Sequence, residues 1–422
     1  MNLWESIWKQ FKKHPLGLLG LVIVVLYSIV GVYAPLFASS KPLFVIYNGE
    51  WFFPLFRYLF FPGFFTKGID LFFNLLMFTL PLFLILPKRG FYIPLLIQIG
   101  GFAFLLQGGV KDPSTDPEME RAKNQLIQAR KTPLSFEESL SFLPSYGRLN
   151  LALNGPQGYE EKQAWVKKQH LTWLIHPLIR PFHWEEDAGG NARQNRQGPW
   201  YEQTRIVRKD LVAALIFGIR ISLVVGLLSV TIALLIGVPI GAWAGYYGGS
   251  TDILISRFLE IWESMPVFFM LLLIVAFLQS KSIFLIILAI GLFSWTTFSR
   301  YIRGEFFKQR ALPYVEALKS MRFSDSRIVF SHILPNAIPP LLTLLPFAIM
   351  GAITAEASLS FLGLGEEGSS SWGVLMDEGR SVFPAEASLL WPPAILLTIL
   401  LIAIALVGDA LRDALDPKLR RS

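Results

Sequence analysis

The sequence predicts an all-α membrane protein, a polytopic helical bundle of about eight spans with one soluble insert. Of its 422 residues 53% are hydrophobic and only 16% charged, where an ordinary soluble domain carries about a quarter charged residues. Its 35 Phe, 12 Trp and 12 Tyr suit the two membrane interfaces, where amphipathic rings collect. Apolar runs of spanning length recur from one end of the chain to the other. The absence of Cys excludes disulfide frameworks, thiolate metal sites and cysteine nucleophiles. A net charge of +7 would suggest nucleic acid for a soluble protein. In a membrane protein charge acts through its placement, so no nucleic-acid partner is expected.

In chain order, Leu16 to Leu36 is the first run, preceded by Lys9, Lys12 and Lys13. It lacks a clean small-residue cleavage site, so residues 1–40 read as an anchor span rather than a signal peptide. Residues 41–68 are greasy but contain Asn48, Glu50, Pro54, Arg57 and Pro62, all costly in hydrocarbon, and read as an interfacial segment. Ile69 to Leu86 and Phe91 to Val110 form an extra hairpin, residues 69–110, about a basic turn at Lys88 and Arg89. Residues 111–210 break the pattern: 15 Lys/Arg and 12 Asp/Glu fall between Lys111 and Lys209. With amphipathic pieces at Pro117 to Lys131 and Tyr159 to Leu174, this stretch reads as a soluble domain. Five runs follow within residues 211–422: Ile219 to Trp243, Met265 to Gln279, Ile283 to Phe298, Ala337 to Leu362 and Leu389 to Val407. Gly237, Gly241, Ala242 and Gly245 would let helices approach closely.

Eight spans place both termini on one side. With the N-terminus inside, the inner segments carry 17 Lys/Arg and the short outer connectors 5, the bias that the positive-inside rule requires. The insert then lies outside.

The basic inner loop between the sixth and seventh runs carries the functional signal. Tyr314, Ala317, Leu318 and Met321 recur at helical spacing, which predicts a short amphipathic helix. A second turn or two begins at Ser324, with Asp325 suited to its N-terminal dipole, and Pro335 is expected to end it. An exposed apolar stripe there needs something to pack against. Glu356, a carboxylate inside an apolar run, is a candidate for the translocation path, its alternative being a satisfied residue near the outer end. His170, His176 and His183 crowd near Glu185 to Asp187, but spacings of six and seven do not stack ligands on a helix, so no metal site is assigned.

These segments resemble the membrane subunits of binding-protein-dependent ABC importers of the dipeptide, oligopeptide and nickel branch. That family's signature is E-A-A, three residues and a Gly, then I-x-L-P. Glu316, Ala317, Ile333, Leu334 and Pro335 match it, whereas Leu318 stands for the second Ala and Arg322 for the Gly. The Gly commonly permits a tight turn that Arg adopts only under strain, so either the turn differs here or the partner groove has adapted. GYYGG from Gly245, the spacing Arg257, Glu260, Ser264, Pro266, TEASLSFLGLG from Thr354 and GDALRDALDPKLR from Gly408 occur in the family's order. RFLEIWESMP from Arg257 and KPLFVIYNGEWFFP from Lys41 are most similar to permeases of the microcin C and oligopeptide type. The family's periplasmic G-T-D-x-x-G-R-D element becomes Gln203 to Asp210, without its glycines.

The resemblance implies a type I importer permease: five C-terminal spans plus the first span, with the hairpin as an addition. It implies that residues 314–335 form a coupling helix docking on cytoplasmic ATP-binding subunits, with Tyr314, Glu316, Ala317, Leu318, Met321, Arg322, Ile333, Leu334 and Pro335 at the contact. Glu316 would hold the loop through Arg300 or Arg303. No G-x-x-x-x-G-K-[ST] loop occurs in the chain, so ATP hydrolysis is expected on separate chains, and neither enzyme activity nor a cofactor on this one. A second, homologous permease subunit, a periplasmic solute-binding protein and a bacterial inner membrane with both termini cytoplasmic complete the picture. Oligopeptide or dipeptide is the expected cargo, with nickel or another small solute sharing the same motifs. A secondary transporter would show repeats and broken mid-membrane helices. A membrane enzyme would gather His, Asp or Glu at one face.

Overall fold

The computed structural model describes residues 3–39, 41–61, 67–86, 90–153, 160–179, 211–278, 281–366, 368–384 and 389–415. In chain order these form α1 (Leu3–Phe11), α2 (Pro15–Val32), α3 (Ala34–Phe37), β1 (Phe44–Tyr47), β2 (Glu50–Phe52) and α4 (Pro54–Tyr58). The hairpin helices α5 (Gly68–Ile85) and α6 (Tyr92–Leu106) follow, then α7 (Pro117–Arg130), α8 (Phe136–Ser141), α9 (Ser145–Leu153), α10 (Glu160–Lys168) and β3 (Leu171–Ile175). The last part holds α11 (Leu211–Tyr247), α12 (Gly249–Ser264), α13 (Val267–Leu278), α14 (Ile283–Arg310) and α15 (Pro313–Ser320). It ends with α16 (Asp325–Leu364), α17 (Trp372–Ser381) and α18 (Trp391–Leu415). Two compact units result: Met1–Ile29 with Phe217–Ser422, and Val30–Ile216.

Six of these helices are long and apolar enough to cross a membrane, namely α2, α5, α11, α14, α16 and α18. The pair α12 and α13, bent by 70°, makes a seventh if counted as one span. The third expected run is the shorter apolar helix α6, of 15 residues, about 22 Å at 1.5 Å per residue. The fifth expected run is likewise too short alone, because α13 has 12 residues and reaches only about 18 Å. The bend has a local cause: Pro266 lacks an N–H and drives Met265 to an extended ψ of 125°.

Helix α11, which belongs to the first unit from Phe217 onward, starts at Leu211 rather than Ile219 and runs 37 residues. That is about 55 Å against a hydrocarbon core of about 30 Å, so α11 extends well beyond any single crossing. Along α11, Gly237, Gly241 and Gly245 face α14 so closely that an added Cβ would sit 2.4, 2.2 and 2.7 Å from the carbonyls of Trp295, Ser299 and Arg303. Only glycine lets the two backbones meet this way. The N-terminal helix buries Ile7 and Phe11 against Ala410 and Ala414 of α18. Pro335 does not end a helix: α16 passes through it in one 40-residue run. The π turn Ile328–Ile333 just before it widens the backbone where the proline ring would otherwise clash with the carbonyl one turn back.

The second unit adds an element that an all-α reading omits. A three-stranded antiparallel sheet, order β2-β1-β3, pairs Val45 with Phe52 and Tyr47 with Leu171. The β1–β2 turn at Asn48 and Gly49 has φ of 51° and 86°, the left-handed pair a two-residue hairpin needs. Val45, Tyr47 and Phe52 alternate onto a core with Leu149 and Ala152 of α9. Residues 41–58, expected as an interfacial segment, form part of a folded sheet unit, with Asn48 in the hairpin turn and Glu50 at the start of β2. The expected amphipathic piece Tyr159 to Leu174 splits into α10 and β3, since Leu171 to Ile175 finds β1 as a partner. In the hairpin, Thr79 Oγ1 donates to Gln98 Oε1 at 2.7 Å and Gln98 Nε2 to the Phe72 carbonyl at 3.0 Å. The turn residues Lys88 and Arg89, His183, and Gln203 to Asp210 lie outside the described residues.

Candidate functional site

The site is the loop joining α14 to α16, both of which continue past any single membrane crossing. Lys308 and Arg310 occupy the last turn of α14, where cations suit the C-terminal dipole. Pro313 then starts α15 at a position where its missing N–H costs nothing. Val315 is fully buried and anchors the helix. Ala317 and Met321 are exposed, Met321 at 67%, and Tyr314 and Leu318 are half-buried. The predicted stripe thus points outward from a single inward peg, and Leu312 and Phe330 extend the apolar exposure on either side.

Arg322 takes the turn that the family's glycine would make. Its φ is 58°, its N–H donates to the Lys319 carbonyl at 2.9 Å and that of Phe323 to the Leu318 carbonyl at 3.1 Å. These are the two bonds of a Schellman cap, so the left-handed geometry is kept and the side chain bears the strain. Of the alternatives posed by the sequence, a different turn is excluded.

After the turn, Asp325 opens α16 and accepts from Tyr246 Oη at 2.6 Å. Tyr247 Oη is 3.5 Å from its other oxygen, and Lys319 Nζ lies 5.3 Å above the Tyr246 ring. Arg310 donates to the carbonyls of Gly245 and Tyr246 at 3.3 and 3.1 Å, capping the C-terminus of α11. Arg303 forms a two-pronged pair with Asp252 of α12, its Nη2 at 2.8 Å from Oδ2, and Arg300 pairs with Glu263. The ends of α11, α12 and α14 and the start of α16 are thereby bolted together around α15.

The pairing expected for Glu316 does not form. Glu316 is exposed, and its two proposed mates are taken by Asp252 and Glu263, which the α12 turn brings closer. Ile333 is fully buried, so it holds the fold and offers nothing to a partner. Leu334 is half-buried and Pro335 exposed. Glu356 is 1% exposed and accepts from Ser360 Oγ at 2.7 Å and Ser371 Oγ at 2.6 Å. It therefore ties the start of α17 to α16, the satisfied state that was the alternative reading. Residues missed by sequence reasoning are Val315, Tyr246, Asp325 as an acceptor, and Arg310. The signal available for Tyr246 was a hydroxyl at a helix end before two glycines, which must find a polar partner if buried. What this arrangement can do is mechanical: a push on α15 reaches four helix ends together, because close-packed, hydrogen-bonded elements move as bodies.

Comparison with known proteins bears on the same residues. A family model described as the binding-protein-dependent transport system inner membrane component matches residues 237–421. A second, described as the N-terminal TM domain of oligopeptide transport permease C, matches residues 2–52. The peptidoglycan transport system permease protein YejE of Agrobacterium fabrum is 41% identical over 50% of this chain and 55% of its own length. The oligopeptide transport system permease protein OppC of Haemophilus influenzae is 38% identical over 58% of this chain and 79% of that one. Its Escherichia coli K12 namesake is 34% identical over 59% and 83%. The chain thus spans little more than half the Agrobacterium relative and about four fifths of the other two.

Proposed function

Because this chain belongs to the family of binding-protein-dependent transport system inner membrane components, we propose that it is the pore-forming permease subunit of an ATP-driven peptide importer. The observation that carries the mechanism is α15, an exposed apolar stripe on a helix pegged by Val315 and clamped by the Arg322 turn. A cytoplasmic ATP-binding subunit grips that stripe, and closure of two such subunits on ATP drives the bolted helix ends together. The tilt carries α14 and α16 with it and opens the pore alternately to outside and inside. Peptide as cargo is supported by the oligopeptide permeases among the relatives. A second permease subunit completes the pore, a solute-binding protein delivers cargo from outside, and both termini lie in the cytoplasm of a bacterial inner membrane.

Glu316 stands exposed on α15, and its carboxylate makes no ion pair or hydrogen bond among the described residues, which leaves its charge for the ATPase. Glu316→Lys is expected to lower co-purification of ATP-binding subunits by roughly tenfold or more, as for removal of a hydrogen-bonded interfacial charge. Peptide uptake should fall in parallel while the chain still inserts. ATP-independent uptake at full rate by the chain without any ATPase would refute the proposal.

A further inference from the structure

We propose that a cleft between α11, α14 and α16 is this chain's share of the translocation path, and that its wall recognises cargo by uncharged hydrogen bonding. This rests on the permease reading above. The cleft has a volume of about 300 Å³, and its lining includes Ser229, Ser294, Thr297, Leu344, Phe347 and Gly351 but no charged residue.

The hydroxyls distinguish it from a packing gap. Thr231, Thr354 and Thr398, exposed on spanning helices, each donate to the carbonyl one turn back at 2.7 to 2.8 Å, the usual way a hydroxyl is satisfied in a helix. Ser229 is committed to the Ile287 carbonyl at 3.1 Å. Ser294 and Thr297 have no hydrogen-bond partner among the described residues, and Thr297 is exposed. Ser299 Oγ also lacks a partner but is buried in packing, whereas an exposed open hydroxyl such as that of Thr297 is costly against lipid and faces water or a ligand.

The helix that carries them has a lipid side elsewhere. Phe284, Leu288 and Leu292 of α14 are 40 to 49% exposed and form one stripe. At about 100° per residue, Thr297 lies roughly half a turn round from the middle of that stripe and Ser294 about a third of a turn. On the opposite wall, a Cβ added to Gly351 meets nothing within 4 Å, so a side chain placed there has open space to enter. Both walls are continuous with the coupling loop: α14 runs on to α15, and α16 begins after the Arg322 turn. Motion of α15 is therefore passed to the cleft along these two helices.

The chemistry suits a peptide main chain. A hydroxyl donates to C=O and accepts from N–H, and both groups recur in every peptide whatever its side chains. Without a fixed charge, neither acidic nor basic cargo is trapped, and weak sites let a solute leave.

The absence of Cys makes single-cysteine variants clean reporters. Ser294→Cys, Thr297→Cys and Leu288→Cys, each in the assembled complex with partner thiols blocked, are exposed to a charged methanethiosulfonate reagent, without nucleotide and after ATP–vanadate trapping. The first two are expected to react ~10-fold or more faster than Leu288→Cys, the least that exclusion of a charged probe from lipid implies. Their rates should also change between the two states. Gly351→Trp should block uptake while the ATP-binding subunits still co-purify. Equal labelling at all three positions, or full uptake by Gly351→Trp, would overturn the proposal. If the unsubstituted complex shows no ATP-driven peptide uptake, the permease reading falls instead, and the labelling contrast still decides whether the cleft holds water.

Discussion

Helices α15 and α7 are both short and on the surface, and each is followed by a basic residue in the left-handed region, Arg322 at φ 58° and Lys131 at φ 55°. They differ in what holds them. Helix α7 buries none of its 14 residues and is secured at its ends. Asp116 accepts from the Glu118 N–H at 2.9 Å, and Arg130 pairs with Glu138 at 2.8 Å. Helix α15 has 8 residues but is pegged underneath by Val315 and tied at its exit through Asp325 to Tyr246. A helix held only at its ends yields to a push, whereas one pegged from below passes it on. The difference separates a surface helix tied to its own unit at its ends from one anchored from beneath, as the proposed coupling role requires.

Three substitutions break or sharpen that contrast. Val315→Asp has the largest expected effect, because an unpaired carboxylate placed in a fully buried site costs ~4 kcal/mol or more. Hydrogen exchange across residues 313–327 should accelerate and the ATP-binding subunits should dissociate, with exchange across 117–130 unchanged. Protection surviving at 313–327 would mean that the peg is not what holds α15. Tyr246→Phe comes next. Losing the hydroxyl that donates to Asp325 removes a hydrogen bond to a charged group worth about 2 kcal/mol, and exchange at 321–328 should rise by roughly 30-fold. Uptake per ATP should fall with insertion intact, and unchanged coupling would place the load path elsewhere. Asp116→Ala is the smallest, about 1 kcal/mol for loss of an N-cap. It should show as faster exchange confined to the first turn of α7, with uptake unaltered. Loss of uptake would make α7 more than a local element.

The spans were legible because hydropathy is a local property and the bilayer rewards it residue by residue. Helix α15 was legible for a related reason, since Tyr314, Ala317, Leu318 and Met321 share a face whatever surrounds them. The mates of Glu316 were not. Arg300 and Arg303 are near it in sequence, but α12 folds Glu263 and Asp252 against them, which only the packing of α12 on α14 decides. Pro335 reads as a stop because a π turn leaves no signature in composition. The strand at Leu171 to Ile175 was invisible while its partner lay at Phe44 to Tyr47, more than a hundred residues away.

The chain's own order of residues thus determined that it enters a membrane, how many apolar segments it has, and that one loop presents a helical stripe. Those are sums of short-range preferences, readable without knowing any neighbour. Tertiary structure alone decided that Arg322 bears the turn, that Tyr246 holds Asp325, that Glu356 is spent on two serines, and which hydroxyls stay open at the cleft. Each depends on which distant group arrives within hydrogen-bond reach, a condition set by helix crossings and bends rather than by any stretch of sequence.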